Sequence, residues 1–177
     1  MKKLKQFVIP FSGLKMGKHE FEYDVDNTFF DDFGYDEFNE ADIQVLAGLN
    51  KTSTMMELDL TATGTVNVNC DVTNEPYQQE VDGALQLVIK FGAEFNDDND
   101  EILILPHGEH QVNIAQYIYE MLVLAVPQKR VHPGVEDGTL QSEALDKLEE
   151  LQPKETRSNK ENTDPRWDGL KKLLTDK

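Results

Sequence analysis

The chain of 177 residues is long enough for one domain with its own core and too short for two ordinary ones. Its 34 Asp and Glu against 17 Lys and Arg leave a formal charge of −17, which excludes a coat wrapped on phosphate backbones by counterion release. With 38% apolar residues and nine Phe, the chain still has the anchors of a packed core and reads as a soluble domain.

The charge is uneven. Residues 1–127 hold 23 acidic and 7 basic side chains, whereas residues 128–177 hold 11 and 10, so the acidity belongs to the body and not to the tail. A lone Cys70 cannot form an intramolecular disulfide and fits a reducing, cytoplasmic setting. The apolar run after the basic start, Phe7 to Phe11, is broken by Pro10 and does not read as a secretion signal. Val112 to Val126 is 15 residues against the ~20 a membrane span needs, so no membrane segment is expected.

In chain order, residues 4–11 and 18–25 flank a Gly13/Gly17 turn and predict a first hairpin. In the second arm His19, Phe21, Tyr23 and Val25 alternate with Glu20, Glu22 and Asp24, the period of a half-buried strand. Asp26 to Glu40 gathers Phe29, Phe30, Phe33, Tyr35 and Phe38 among carboxylates, which suits a short irregular helix or loop capping one end of a sheet. Ala41–Asn50 and Thr54–Val68 return to strand patterning, with Gly64 read as a bulge or bend. Tyr77 to Phe91 alternates again and predicts a long antiparallel hairpin with its predecessor. Phe95 to Glu101 reads as an acidic tip and Ile102 to Leu105 as a short apolar strand.

A helix is predicted over 113–126. Asn113 and Gln116 form a capping-box variant and Pro127 stops the pattern. Its polar positions 113, 116 and 120 share one stripe, so the helix is expected to be buried on most sides. Beyond His132 the composition turns polar, with Leu140, Ala144, Leu145, Leu148 and Leu151 suggesting one short amphipathic helix. Asp164-Pro165 then opens a last helix, with Trp167, Leu170 and Leu174 on one face. The fold class implied is α+β: a mainly antiparallel sheet or partly open barrel with one buried helix, a flexible tail and a C-terminal helix. The expected divisions are residues 1–133, 134–163 and 164–177.

No catalytic constellation can be placed. Cys70 lies between Asn69 and Asp71, without the base or electropositive setting that activates a thiol. His107 and His110 after a Pro-His-Gly turn make only a weak half-site for a metal. Asp32-Phe33-Gly34 copies a kinase tripeptide with none of its companion motifs. Asp97, Asp98, Asp100 and Glu101 lack the Gly and terminal Glu of a calcium loop. Glu120, flanked by Tyr117, Tyr119 and Met121, is expected to be paired or hydrogen-bonded. Asp164, Pro165, Arg166 and Trp167 read either as a helix that docks on the sheet or as a recognition element, with Trp167 as anchor and Arg166 as clamp.

Several of these residues recur together. Phe11-Ser12-Gly13-Leu14-Lys15 with Gly17-Lys18-His19-Glu20-Phe21, then Phe29-Phe30, then Cys70-Asp71, precede a helix ending Tyr119-Glu120 through Pro127. Val131-His132-Pro133 and Asp164-Pro165-Arg166-Trp167 with Leu170 follow. In this order and spacing the chain resembles the YceD family, bacterial and plastid proteins associated with accumulation of the large-subunit ribosomal RNA. The long form with Phe-Phe and Tyr-Glu is similar to the version in Bacteroidetes-type bacteria. In many relatives a Cys-x-x-Cys, a His and a later Cys would supply tetrahedral zinc ligands. Here Cys70 and His132 remain, but the second position is Thr73 and the tail position falls near Leu140. No zinc and no other cofactor is therefore expected, and Cys70, Thr73 and His132 stand as vestigial positions.

The resemblance implies a non-enzymatic ribosome biogenesis factor supporting accumulation of 23S rRNA and the large ribosomal subunit. The charge suggests a basic ribosomal protein, an assembly factor or a pre-rRNA particle as partner, with direct rRNA contact open to the tail. The expected binding residues are Glu120, His132 and Asp164 to Trp167. The rival reading is an acidic adaptor unrelated to ribosomes that docks through the Trp167 helix.

Overall fold

The alternating stretches become β-strands close to their expected positions in a computed structural model of the protein, which describes residues 3–151. The chain divides into two compact units, Met1–Leu140 and Gln141–Lys177. In the first, a 3-10 turn (Lys3–Phe7) leads to β1 (Val8–Ile9), then β2 (Gly17–Asp26), α1 (Asn27–Phe33), β3 (Glu40–Lys51), β4 (Met55–Asn69) and β5 (Pro76–Gly92). β6 (Asn96–Asn99), β7 (Ile102–Pro106), β8 (Val112–Asn113), α2 (Ala115–Ala125) and α3 (Pro133–Glu136) complete it. In the second unit the described residues form α4 (Glu143–Leu151), an amphipathic helix on which Leu148 and Leu151 are exposed.

Six strands form one sheet in the order β2-β3-β4-β5-β7-β6, so the architecture is α+β with an open, mostly antiparallel sheet and not a barrel. The expected β4–β5 hairpin is its backbone, paired without a slip from Met55↔Lys90 to Asn69↔Pro76. Register places alternate residues on opposite faces. Leu49, Leu58 and Leu87 lie side by side on the inner face and are almost fully buried, each contributing about 1.5–3 kcal/mol of transfer free energy. Two steps along, the row Val45–Ala62–Gly83 becomes small, and there α2 rests on the sheet. A Cβ on Gly83 would lie 3.2 Å from Met121 Cγ and 3.4 Å from Ala125 Cβ, so the missing side chain sets how closely the helix seats.

The cap at the other end is aromatic. Asp26 N-caps α1 by accepting from the Thr28 amide, and Gly34 ends it at φ 71, a left-handed conformation that suits glycine. Phe30 meets Phe38 edge-on at 4.9 Å, and Phe33 stacks on Tyr119 of α2 at 4.4 Å. The Phe-rich segment is thus the joint between α1 and α2.

Several expectations are corrected. No hairpin joins residues 4–11 to 18–25: β1 pairs with β8, and β2 pairs with β3, whose twelve-residue alternation offers far more partners than two residues of β1 can. Gly64 is not a bulge. It sits in an unbroken ladder opposite Ile43, where a Cβ would press on the Asp42 carbonyl oxygen and lie 2.6 Å from Ile43 Cα. The acidic tip contains a strand, β6. β7 then enters the slot between β5 and β6, parallel to β5 and antiparallel to β6. The helix starts at Ala115, because Asn113 Oδ1 accepts from the Ala115 amide two residues on and Gln116 reaches forward to Glu120 instead of back.

Candidate binding surfaces of the acidic domain

The inner face of the sheet is covered by α2, by α1 and by the 3-10 turn, whereas the outer face carries exposed polar side chains along every long strand. Its rows can be read across the register. Asp26, Asp42, Thr65 and Glu80 are neighbours in one row, Asp24, Gln44, Thr63 and Asp82 in the next, and Glu20, Gly48, Asp59 and Gln86 in a third. Among the described residues the basic side chains on this face are Lys18 and Lys90, at its periphery. Asp26 directly opposes Asp42 across β2 and β3, an arrangement that destabilises a sheet. The pair stands at the end of β2, where Asp26 also N-caps α1.

A second constellation lies at the end of the β4–β5 hairpin. Cys70 N donates to Glu75 O (2.9 Å) and Asn74 N to Cys70 O (2.8 Å), closing a turn in which Asn74 takes φ 60. This turn is tied to the segment after α2. Asp71 N donates to Arg130 O (2.7 Å), Arg130 N donates back to Asp71 Oδ2 (2.7 Å), and His132 N donates to Cys70 Sγ (3.3 Å). Arg130 also reaches Glu37 beyond α1 at 2.6 Å. The His132 ring packs edge-on against Tyr77, and its Nδ1 accepts from Gly134 N (2.9 Å). Burial pushes the Cys70 thiol up, but donors from His132, Thr73 and Val72 outweigh it and hold the thiol below its ordinary pKa.

Residues 58–174 match the family model described as large ribosomal RNA subunit accumulation protein YceD. The chain belongs to the YceD family. No curated protein and no solved structure matches it.

In this YceD-family chain the positions expected to be vestigial do meet: Cys70 and Thr73 share the turn, and His132 closes over it. A Cβ on Gly134 would be 3.0 Å from both His132 Nδ1 and Leu140 Cβ, so position 140 borders the same cluster. The donor set does not fit zinc. It offers one thiol already receiving N–H bonds, a hydroxyl, an imidazole with one nitrogen engaged and an aliphatic side chain, where a structural site takes four thiolate or imidazole ligands. The start of the following segment is nevertheless held to the body, with Gly134 buried and Val135 packed against the core, and Leu140 N folds back to Gly134 O at 2.8 Å.

The remaining candidates separate. Glu120 is hydrogen-bonded, accepting from Gln116 Nε2 at 2.7 Å, but it stands on the exposed side of α2. Only one side of that helix is fully buried: Ala115, Ile118, Met121 and Leu122 face the sheet, while Leu124 is 82% exposed. His107 and His110 are exposed in the turn after β7. Asp164, Pro165, Arg166 and Trp167 lie outside the described residues. Sequence reasoning missed Leu124 as a surface residue, although it continues the 116–120 stripe by one more turn.

Proposed function

We propose that this YceD-family protein supports accumulation of the large-subunit 23S rRNA as a non-enzymatic cytoplasmic factor. In this reading its acidic body binds a basic ribosomal protein or assembly factor of the large-subunit precursor. The family gives the ribosomal role, and the outer face of the sheet supports the mode of action. Carboxylates repeated row by row on one face, with Lys18 and Lys90 at its periphery, suit a surface that meets positive charge. A field of this sign raises the encounter rate of a cationic partner by about 10–10³-fold and weakens with salt. Residues 128–177, with 10 basic groups and Trp167, supply the part suited to rRNA or to a second protein. Among the described residues no helix is long and apolar enough to cross a membrane.

The test is affinity purification of the tagged full chain from growing cells, together with subunit profiles after deletion of its gene. Large-subunit proteins or pre-rRNA should co-purify, and free large subunits and 23S rRNA should fall. Normal profiles with no large-subunit component recovered would refute the proposal.

A further inference from the structure

On the inner face of the sheet, α2 lies over β5, and its outer flank borders a groove of about 720 Å³ that runs along β7 and β6. The floor is apolar: Leu85 is half-buried there, and Leu103 and Leu105, which also line it, are almost fully buried. Tyr117, Met121 and Leu124 make the helix wall, and Phe95, 56% exposed, stands at the far side. Four carboxylates line the groove, Asp97, Asp100, Glu109 and Glu120, and no Lys, Arg or His does. Asp97 of β6 and Glu120 of α2 both act on the half-buried Tyr117 hydroxyl, whose pKa is raised first by burial and then by these two charges. One of the two acids lines the groove from the strand side and the other from the helix side.

The sheet geometry indicates what would fill it. Strands are spaced about 4.8 Å apart, so β7 and β6 lie roughly 5 and 10 Å to the side of the strand beneath α2. Packed helices lie 8–10 Å apart, which puts the next helical position over β7 and β6. No other helix of the first unit lines the groove. Small-molecule sites orient their ligands with a few well-placed buried polar groups. Here the polar lining is exposed except for the half-buried Tyr117, and among the described residues no buried side-chain polar atom lacks a partner.

We propose that this groove is the docking site for a cationic amphipathic helix of a partner protein, its apolar side on Leu85, Phe95 and Leu124 and its Lys or Arg side chains on Asp97, Asp100, Glu109 and Glu120. The proposal rests on the protein-binding reading above and gives it an address distinct from the outer face of the sheet. Apolar anchors fix the helix along α2, and the one-signed rim selects its charge and excludes acidic helices.

The experiment places a photo-crosslinking amino acid at Leu124 in the full-length chain in growing cells, with a second version at Thr61 on the outer face. Adducts are mapped by peptide mass spectrometry. The expected result is an adduct from position 124 to a Lys- or Arg-bearing helix of a large-subunit protein or assembly factor. Its yield should fall at least about fivefold with Glu120→Lys or Glu109→Lys, both exposed positions, provided the melting profile is unchanged. An adduct at 124 to RNA, to a second copy or to residues 152–177 of the same chain would overturn the proposal. So would an adduct insensitive to both charge reversals. A large-subunit adduct from position 61 alone would overturn the groove and leave the ribosomal role standing. Silence at both positions with no large-subunit component co-purifying would overturn both.

Discussion

Gly64 and Gly48 allow one substitution to be tested with opposite outcomes in the same pair of strands. Gly64 lies opposite Ile43, and an added methyl would press on the Asp42 carbonyl oxygen and lie 2.6 Å from Ile43 Cα, where carbon atoms in contact prefer about 3.5–4.0 Å. The strands would have to part by roughly 1 Å in the middle of a ladder that runs unbroken from Glu40 to Lys51. Two weakened hydrogen bonds at about 0.5–1.5 kcal/mol each, with overpacking of about 1–3 kcal/mol, put Gly64→Ala near 2–6 kcal/mol destabilising. At Gly48 the nearest atom to an added Cβ is Asp59 O at 3.8 Å, an ordinary contact. Gly48→Ala should therefore stabilise by about 0.4–1 kcal/mol through the narrower unfolded state. Urea denaturation followed by circular dichroism, with similar m-values for the three proteins, measures both. Equal shifts for the two variants, or a Gly64→Ala protein within about 0.5 kcal/mol of the parent, would refute the close-approach argument.

The Cys70 turn yields two further expectations. The double variant Thr73→Cys/Leu140→Cys should bind one zinc per chain and show thiolate-to-cobalt charge-transfer bands with Co²⁺, because it completes a Cys₃His set around His132. Substoichiometric metal by mass spectrometry would show that position 140 does not reach the cluster. The thiol itself titrates below its ordinary value in the folded state, so its contribution is fully present above the unfolded thiol pKa of about 8.5 and is lost as pH falls through the lower folded pKa. The stability gap between the parent and Cys70→Ser should widen from neutral pH toward that value. Burial raises the pKa of Tyr23, Tyr35, Tyr77 and Tyr117, so stability in both proteins should decline once pH exceeds about 10. Parallel stability curves for the two proteins between pH 7 and about 9 would contradict the thiol assignment.

Where a strand is long and half-buried, its alternation was enough to locate it. β3, β4 and β5 fall within a residue or two of the segments read from sequence, because one buried face fixes register over many residues. Short elements carried no such signal. β1 has two residues, and its pairing with β8 joins positions more than a hundred apart, which no local pattern encodes. The parallel insertion of β7 beside β5 is a matter of topology, which the alternation of Leu103 and Leu105 does not encode. The Cys70–His132 neighbourhood was legible through the family motif. Its substance, a set of backbone donors around a sulfur, was not, since amide groups are the same for every residue type. The groove was hidden because Leu124 was grouped with the apolar side of α2 when its helical angle puts it beside Glu120.

The acidic outer face also governs how copies of this protein treat one another. A flat sheet face is ordinarily an invitation to stack. Here face-to-face approach would bring the Asp24, Asp42, Asp59 and Asp82 rows of two molecules together, like charge on like charge, while β6 closes one edge with Asn96, Asp97, Asp98 and Asn99. The surface is thus self-avoiding.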